Sequence, residues 1–159
     1  MDLSANYTFD APRQRVWDLL VDPKIIANCL PGCESLEPTG IDCFEAKLTV
    51  NLAAITGRFV GTVQMTDKSM PSHYTLKVEG RGTPGFVDGS ANISLTETDT
   101  NSTTVFVSGT ANFGGTIARV GQRLLSGVSK MMIDRFFPRV SITFRNRINS
   151  RSTSRASRR

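Results

Sequence analysis

Apolar and polar residues alternate along most of this chain, and the places where the period changes mark its helices. Leu3, Ala5, Tyr7 and Phe9 alternate with Ser4, Asn6 and Thr8, which predicts a first strand with one buried face. Asp10-Ala11-Pro12 is a helix start, and Val16, Trp17, Leu19 and Leu20 supply a helical stripe. A second, short helix is expected at Pro23, with Asp22 as its cap, because proline has no N–H to lose in a first turn. Pro31-Gly32 stops that helix, and a strand can begin at Cys33. Alternation then returns. Phe44, Ala46, Leu48 and Val50 face one way and Glu45, Lys47 and Thr49 the other. Phe59, Gly61, Val63 and Met65 repeat the pattern, as do Tyr74, Leu76 and Val78. Val87, Ala91, Ile93 and Leu95 follow, then Val105, Val107, Ala111 and Phe113. Met70-Pro71-Ser72 and Asp99-Thr100-Asn101 read as hairpin turns.

From Thr116 the period becomes helical. Ile117, Val120, Leu124, Val128, Met131 and Phe136 form one stripe, and Pro138 is expected to kink or end that helix. Val140, Ile142, Phe144 and Ile148 allow one or two further amphipathic turns. The order is strand, two short helices, six strands and a long helix. One-sided alternation on every strand means an antiparallel sheet with a dry and a wet face. The fold class is therefore α+β, with the long helix lying across the dry face. Glycines at 57, 61, 85, 89 and 109 fall within or at the ends of the strands. They mark bends in a curving sheet, and they also leave room for a ligand on its concave face.

Length and charge sharpen this picture. A chain of 159 residues fits one domain. Residues 139–159 hold seven arginines and no acidic residue, so the part before them is mildly acidic, with 12 basic and 14 acidic side chains. The net charge of +5 thus belongs to the tail. A domain at 1–148 is expected, followed by a disordered Arg/Ser-rich segment at 149–159. No apolar run reaches the roughly 18 residues of a membrane span, and the N-terminus has no signal-peptide pattern. Three cysteines, an odd number, make a poor disulfide framework. A cytoplasmic location is expected.

Candidate chemistry is sparse. His73 is the one histidine, and no serine or carboxylate is tied to it by spacing. Phosphate-binding loops and nucleophile elbows are missing from the sequence. Cys29 and Cys33 would need two more ligands to hold a metal, and Cys43 and His73 are the available ones. Cys43 falls on the polar face of its strand, so free cysteines acting as small apolar residues are the simpler reading, and no metal is expected. Without paired acid–base groups, a binding protein is favoured over an enzyme.

Five phrases carry a resemblance. VWDLLVDP, CLPGCESLE, GRFVGTVQMTD, GFVDGSANISLTE and FGGTIARVGQRLLSGVSKMMIDRFF occur in order between about Leu3 and Phe137. Together with the element order, they resemble the family of carbon monoxide dehydrogenase G-subunits, within the START-like, helix-grip superfamily. The matching positions are Pro31, Gly32, Cys33 and Glu34 in the loop, and Gly114, Gly115, Gly121, Phe136 and Phe137 around the long helix. Two departures stand out. Many relatives have Gly-Pro where this chain has Ala53-Ala54-Ile55, and longer relatives end in an apolar or amphipathic segment where this one ends in arginine and serine.

The resemblance implies a non-enzymatic accessory protein of a molybdenum hydroxylase of the carbon monoxide dehydrogenase type. It implies a lipophilic ligand, with a respiratory quinone the leading candidate, no tightly bound cofactor, and docking at the inner face of the cell membrane. Phe59, Val63, Leu76, Val78, Val107, Ile117, Val120, Leu124, Val128 and Met131 are expected to line the ligand pocket. Pro31, Gly32 and Cys33 are expected at its mouth. Arg145, Arg147, Arg151, Arg155, Arg158 and Arg159 are the expected contact with an anionic membrane or the partner enzyme. Two alternatives come from other classes: a cyclase- or hydrolase-like enzyme on the same fold, and nucleic-acid binding through the basic tail. The acidic body argues against nucleic acid.

Overall fold

The chain starts on one edge of a seven-stranded antiparallel sheet and reaches the other edge through two short helices. In the computed structural model the described residues are 1–52 and 55–157, with side chains at 1–51 and 55–148. Strand β1 (Asp2–Phe9) leads into α1 (Arg13–Leu20) and α2 (Pro23–Cys29). These helices carry the chain across to β2 (Cys33–Gly40). The sheet then returns as a meander: β3 (Cys43–Leu52), β4 (Ile55–Ser69), β5 (His73–Gly82), β6 (Gly85–Asp99) and β7 (Ser102–Gly114). Strand β7 closes against β1, giving the order β1-β7-β6-β5-β4-β3-β2. A 3-10 helix at Gly115–Val120 precedes α3 (Gln122–Ser157). This is the expected α+β architecture: a curved sheet, two short helices after the first strand, and a long C-terminal helix. Ala53 and Ala54, where the chain departs from the Gly-Pro of relatives, lie outside the described residues.

Local chemistry explains the turns. Asp22 accepts a hydrogen bond from the Lys24 amide at 2.9 Å and caps α2, with Pro23 in its first turn. Gly32 then takes φ +78°, a left-handed conformation that lets the chain reverse without a steric penalty. The Thr49 amide donates to the Gly32 carbonyl at 2.9 Å, and the Thr49 hydroxyl donates to the Glu34 carboxylate. The loop is thereby fastened to β3. Pro31 is buried and Cys33 half-buried.

The dry face carries two packed clusters. The larger holds Phe9, Val16, Trp17, Ile25, Tyr74, Val105, Phe137 and Val140 and is closed over by α1, α2 and the C-terminal half of α3. Trp17 meets Tyr74 edge-on at 5.4 Å, and Phe137 stacks on Tyr7 at 5.7 Å. The smaller cluster, at the other end, holds Ile55, Phe59, Ile117, Leu125 and Val128.

Of the expectations about the long helix, one is corrected and one is narrowed. Ile117 and Val120 stand on the 3-10 helix rather than on α3. Pro138 does not end α3, which continues through it. A mid-helix proline forfeits one backbone hydrogen bond, and here its neighbours Phe137 and Val140 are buried in the larger cluster, which offsets that loss. The helical backbone of α3 runs as far as Ser157. Once a helix is nucleated by its packed half, each added residue gains one hydrogen bond at little cost.

Candidate functional site

Between the two clusters, the dry face is apolar but only half-covered. The register sets its rows. Met65 lies opposite Leu76, Leu76 opposite Ala91, and Ala91 opposite Gly109. In the next row Phe44 faces Val63, Val63 faces Val78, Val78 faces Gly89, and Gly89 faces Ala111. Val63, Leu76, Val78, Ala91 and Val107 are all half-buried. Strands β4 and β5 thus present branched side chains, while β6 and β7 present glycine and alanine. That difference lowers the floor on one side.

Two of the glycines have a steric cause. A Cβ at Gly61 would run into the Glu79 carbonyl of β5, and one at Gly109 into the Ser90 carbonyl of β6. Close approach of neighbouring backbones therefore requires glycine at these two positions. Curvature comes first, and the lowered floor follows from it.

The ten residues expected to line a pocket are divided by this arrangement. Phe59, Ile117 and Val128 are sealed in the smaller cluster, with Val120 packed against it. Val63, Leu76 and Val107 pack half-buried against the larger one. Val78, Leu124 and Met131 are half-buried and belong to neither. Leu124 and Met131 share a helical face with Val128, by their spacing of four and three. The ten thus fall into sealed side chains and half-buried ones, the latter shared between the dry face of the sheet and one face of α3. Pro31, Gly32 and Cys33 are held against the part of β3 that carries Leu48 and Thr49.

Titratable groups stand elsewhere. Glu45, Glu79 and Asp88 are on the convex face. Tyr74 is buried on the dry side, and burial raises its phenol pKa well above the ordinary value. Cys33 is also raised, chiefly by burial, with Glu34 adding to the effect. Cys29 is buried with its Sγ 3.7 Å from Thr143 Oγ1, and Cys33 Sγ donates to the Ser35 carbonyl at 3.4 Å. Among the described residues, no three His, Cys, Asp or Glu side chains come together as metal ligands would.

The arginines expected to act as a group have separate placements. Arg145 lies 3.8 Å from Asp10 in an exposed ion pair. Arg147 lines a cleft of about 220 Å³ between α1 and the end of α3. Arg151 and Arg155 are on the helical backbone of α3, and Arg158 and Arg159 lie outside the described residues. Among the described residues, no helix is long and apolar enough to cross a membrane. The cleft also takes in Arg15, Asp18 and Asp22, which sequence reasoning missed. The available signal was the spacing of 15, 18 and 19 on one face of α1, with Asp22 just beyond its end.

Comparison with known proteins agrees with this fold. A family model described as the G-subunit of carbon monoxide dehydrogenase (CoxG) matches residues 6–143. The crystal structure of a conserved protein from Geobacillus kaustophilus is similar, with 34% identity and a TM-score of 0.89, over 92% of this chain and 96% of that one. The Zhui aromatase/cyclase of a Streptomyces species has 16% identity and a TM-score of 0.69, over 93% and 95%. A protein from Mycobacterium smegmatis has 17% identity and a TM-score of 0.64, over 91% of each chain. The last two likenesses are of fold alone. A search of curated protein sequences gives no match.

Proposed function

Because the chain belongs to the CoxG family of carbon monoxide dehydrogenase G-subunits, we propose that it is a non-enzymatic accessory protein that holds a lipophilic molecule in an apolar trough under α3. Its partner is a molybdenum hydroxylase of the carbon monoxide dehydrogenase type. The ligand class is a neutral, extended lipophile, for which a respiratory quinone is the best fit. The protein brings the enzyme to the membrane surface where such a molecule resides.

One observation carries this reading: Val63, Leu76, Val78 and Val107 are apolar side chains on the dry face that stay only half-buried, three of them at the margin of the larger cluster. Apolar side chains left half-covered gain free energy when an apolar partner completes their burial, at about 25 cal/mol per Å². The carboxylates of Glu45, Glu79 and Asp88 stand on the opposite face, and Glu97 is engaged with Arg13 at the end of β6, which supports a carrier over a cyclase-like enzyme.

The test is fractionation of native cells with and without this protein. Hydroxylase activity is expected in the membrane fraction when the protein is present and in the soluble fraction when it is deleted. An unchanged distribution would refute the recruiting role.

A further inference from the structure

The cleft between α1 and the C-terminal half of α3 has a composition of its own. Its apolar lining is buried Leu19, half-buried Phe144 and exposed Ile148. Its walls carry two guanidinium groups, Arg15 and Arg147, and two carboxylates, Asp18 and Asp22. Among the described residues, none of these four takes part in an ion pair. The carboxylates are nonetheless held in place. Asp18 accepts from Gln14 Nε2 at 2.9 Å, and Asp22 accepts from the Lys24 amide at 2.9 Å. Each keeps further acceptor capacity. Nearby, α3 contacts the segment before α1 through the exposed Arg145–Asp10 pair at 3.8 Å and α2 through the Cys29–Thr143 contact at 3.7 Å.

We propose that this cleft binds a small zwitterion bearing a primary ammonium and an anionic phosphate or carboxylate. A lone anion would be attracted by the arginines and repelled by the aspartates, and a lone cation the reverse. A molecule with both charges meets both pairs favourably, through charge-assisted hydrogen bonds. Quaternary ammonium groups are recognised by several aromatic faces. Phe144 is the one aromatic side chain in the lining, whereas two carboxylates are present to accept from N–H groups. That favours a primary ammonium. The volume of about 220 Å³ suits a head group rather than a drug-sized molecule. Such chemistry has two sources: a soluble zwitterion, or the head group of an aminophospholipid whose chains pass over Phe144 and Ile148.

This inference is independent of the trough and its ligand. The test uses the full-length protein. Glycerophosphoethanolamine and glycerophosphocholine are titrated while backbone amide shifts are followed by NMR. Co-sedimentation is then measured with phosphatidylcholine vesicles, with and without phosphatidylethanolamine. Both vesicles lack net charge, so attraction of the arginines to anionic lipid plays no part.

Saturable binding of the ethanolamine compound is expected, with shifts at Arg15 to Asp22 and at Phe144 to Ile148, and about tenfold weaker binding of the choline compound. Asp18→Asn and Arg147→Gln should each weaken binding about tenfold while leaving the melting temperature unchanged. A preference for ethanolamine vesicles identifies the lipid as the source, and soluble binding without that preference identifies a free zwitterion. Either result supports the site. Absence of saturable binding, equal binding of the two soluble compounds, or full binding by both variants would overturn it.

Discussion

The Gly32 carbonyl accepts from the Thr49 amide at 2.9 Å, and the Cα of Gly32 faces the Thr49 carbonyl so closely that no Cβ fits between them. Residue 32 is therefore constrained twice, by φ +78° and by contact with β3. Gly32→Val should cost about 2–3 kcal/mol, from left-handed strain plus displaced backbone. Thermal melting should show a fall of roughly 5–10 °C. Gly121 has φ +95° and ψ 150° but nothing within 4 Å, so Gly121→Ala should cost only the backbone strain, about 1–3 kcal/mol.

Tyr74 offers a test by pH. Its pKa is raised by burial, so the folded state resists ionisation. The stability from keeping the phenol neutral is complete below the unfolded value of about 10 and is lost as pH rises toward the higher folded value. Denaturation curves of wild type and Tyr74→Phe between neutral and strongly alkaline pH should converge or cross only above about pH 10. A constant stability difference across that range would contradict burial of the phenol.

Much of the fold was legible because alternation has a period of two and errors of register would invert a whole face. Leu76 and Val78 could be assigned to the dry side, and the turns at Pro71 and Thr100 located, from neighbours alone. The 3-10 helix was not legible, because Ile117, Val120 and Leu124 have spacings that suit an α-helix equally well. Gly115 at φ +77° and Gly121 at φ +95° mark its two ends, and Gly114-Gly115 was the local clue. Which of the two alternatives at Pro138 holds was not legible, because the packing of Phe137 and Val140 that retains the helix comes from distant strands and helices. For the same reason the division of the ten pocket residues into sealed and half-buried side chains could not be read. It depends on where α3 crosses the sheet.

Val78 and Phe59 separate the trough from the core. Val78 is half-buried and in neither cluster, whereas Phe59 is 9% exposed and packed in the smaller one. Val78→Trp should abolish retention of a lipophilic ligand while costing no more than about 1–3 kcal/mol. Phe59→Ala should cost about 3–5 kcal/mol regardless of ligand. Denaturant titration with and without added quinone measures both. Undiminished quinone binding by Val78→Trp would place the ligand elsewhere.

The arginine-rich end of α3 predicts a salt-sensitive surface. Each arginine near an anionic leaflet can contribute about 1 kcal/mol, screened over about 8 Å at physiological salt. Full-length protein should sediment with anionic vesicles at low salt and release at high salt, and a form ending at Ile148 should bind more weakly. Equal pelleting of the two forms would exclude residues 149–159 as the contact.

Organic extraction of the protein purified from its native cells, followed by mass spectrometry, probes the trough most directly. One lipophilic species, a quinone, is expected at close to one equivalent per chain, and it should be missing from extracts of Val78→Trp. An extract with no lipophile, together with no saturable quinone binding by the extracted protein, would contradict a ligand-carrying role.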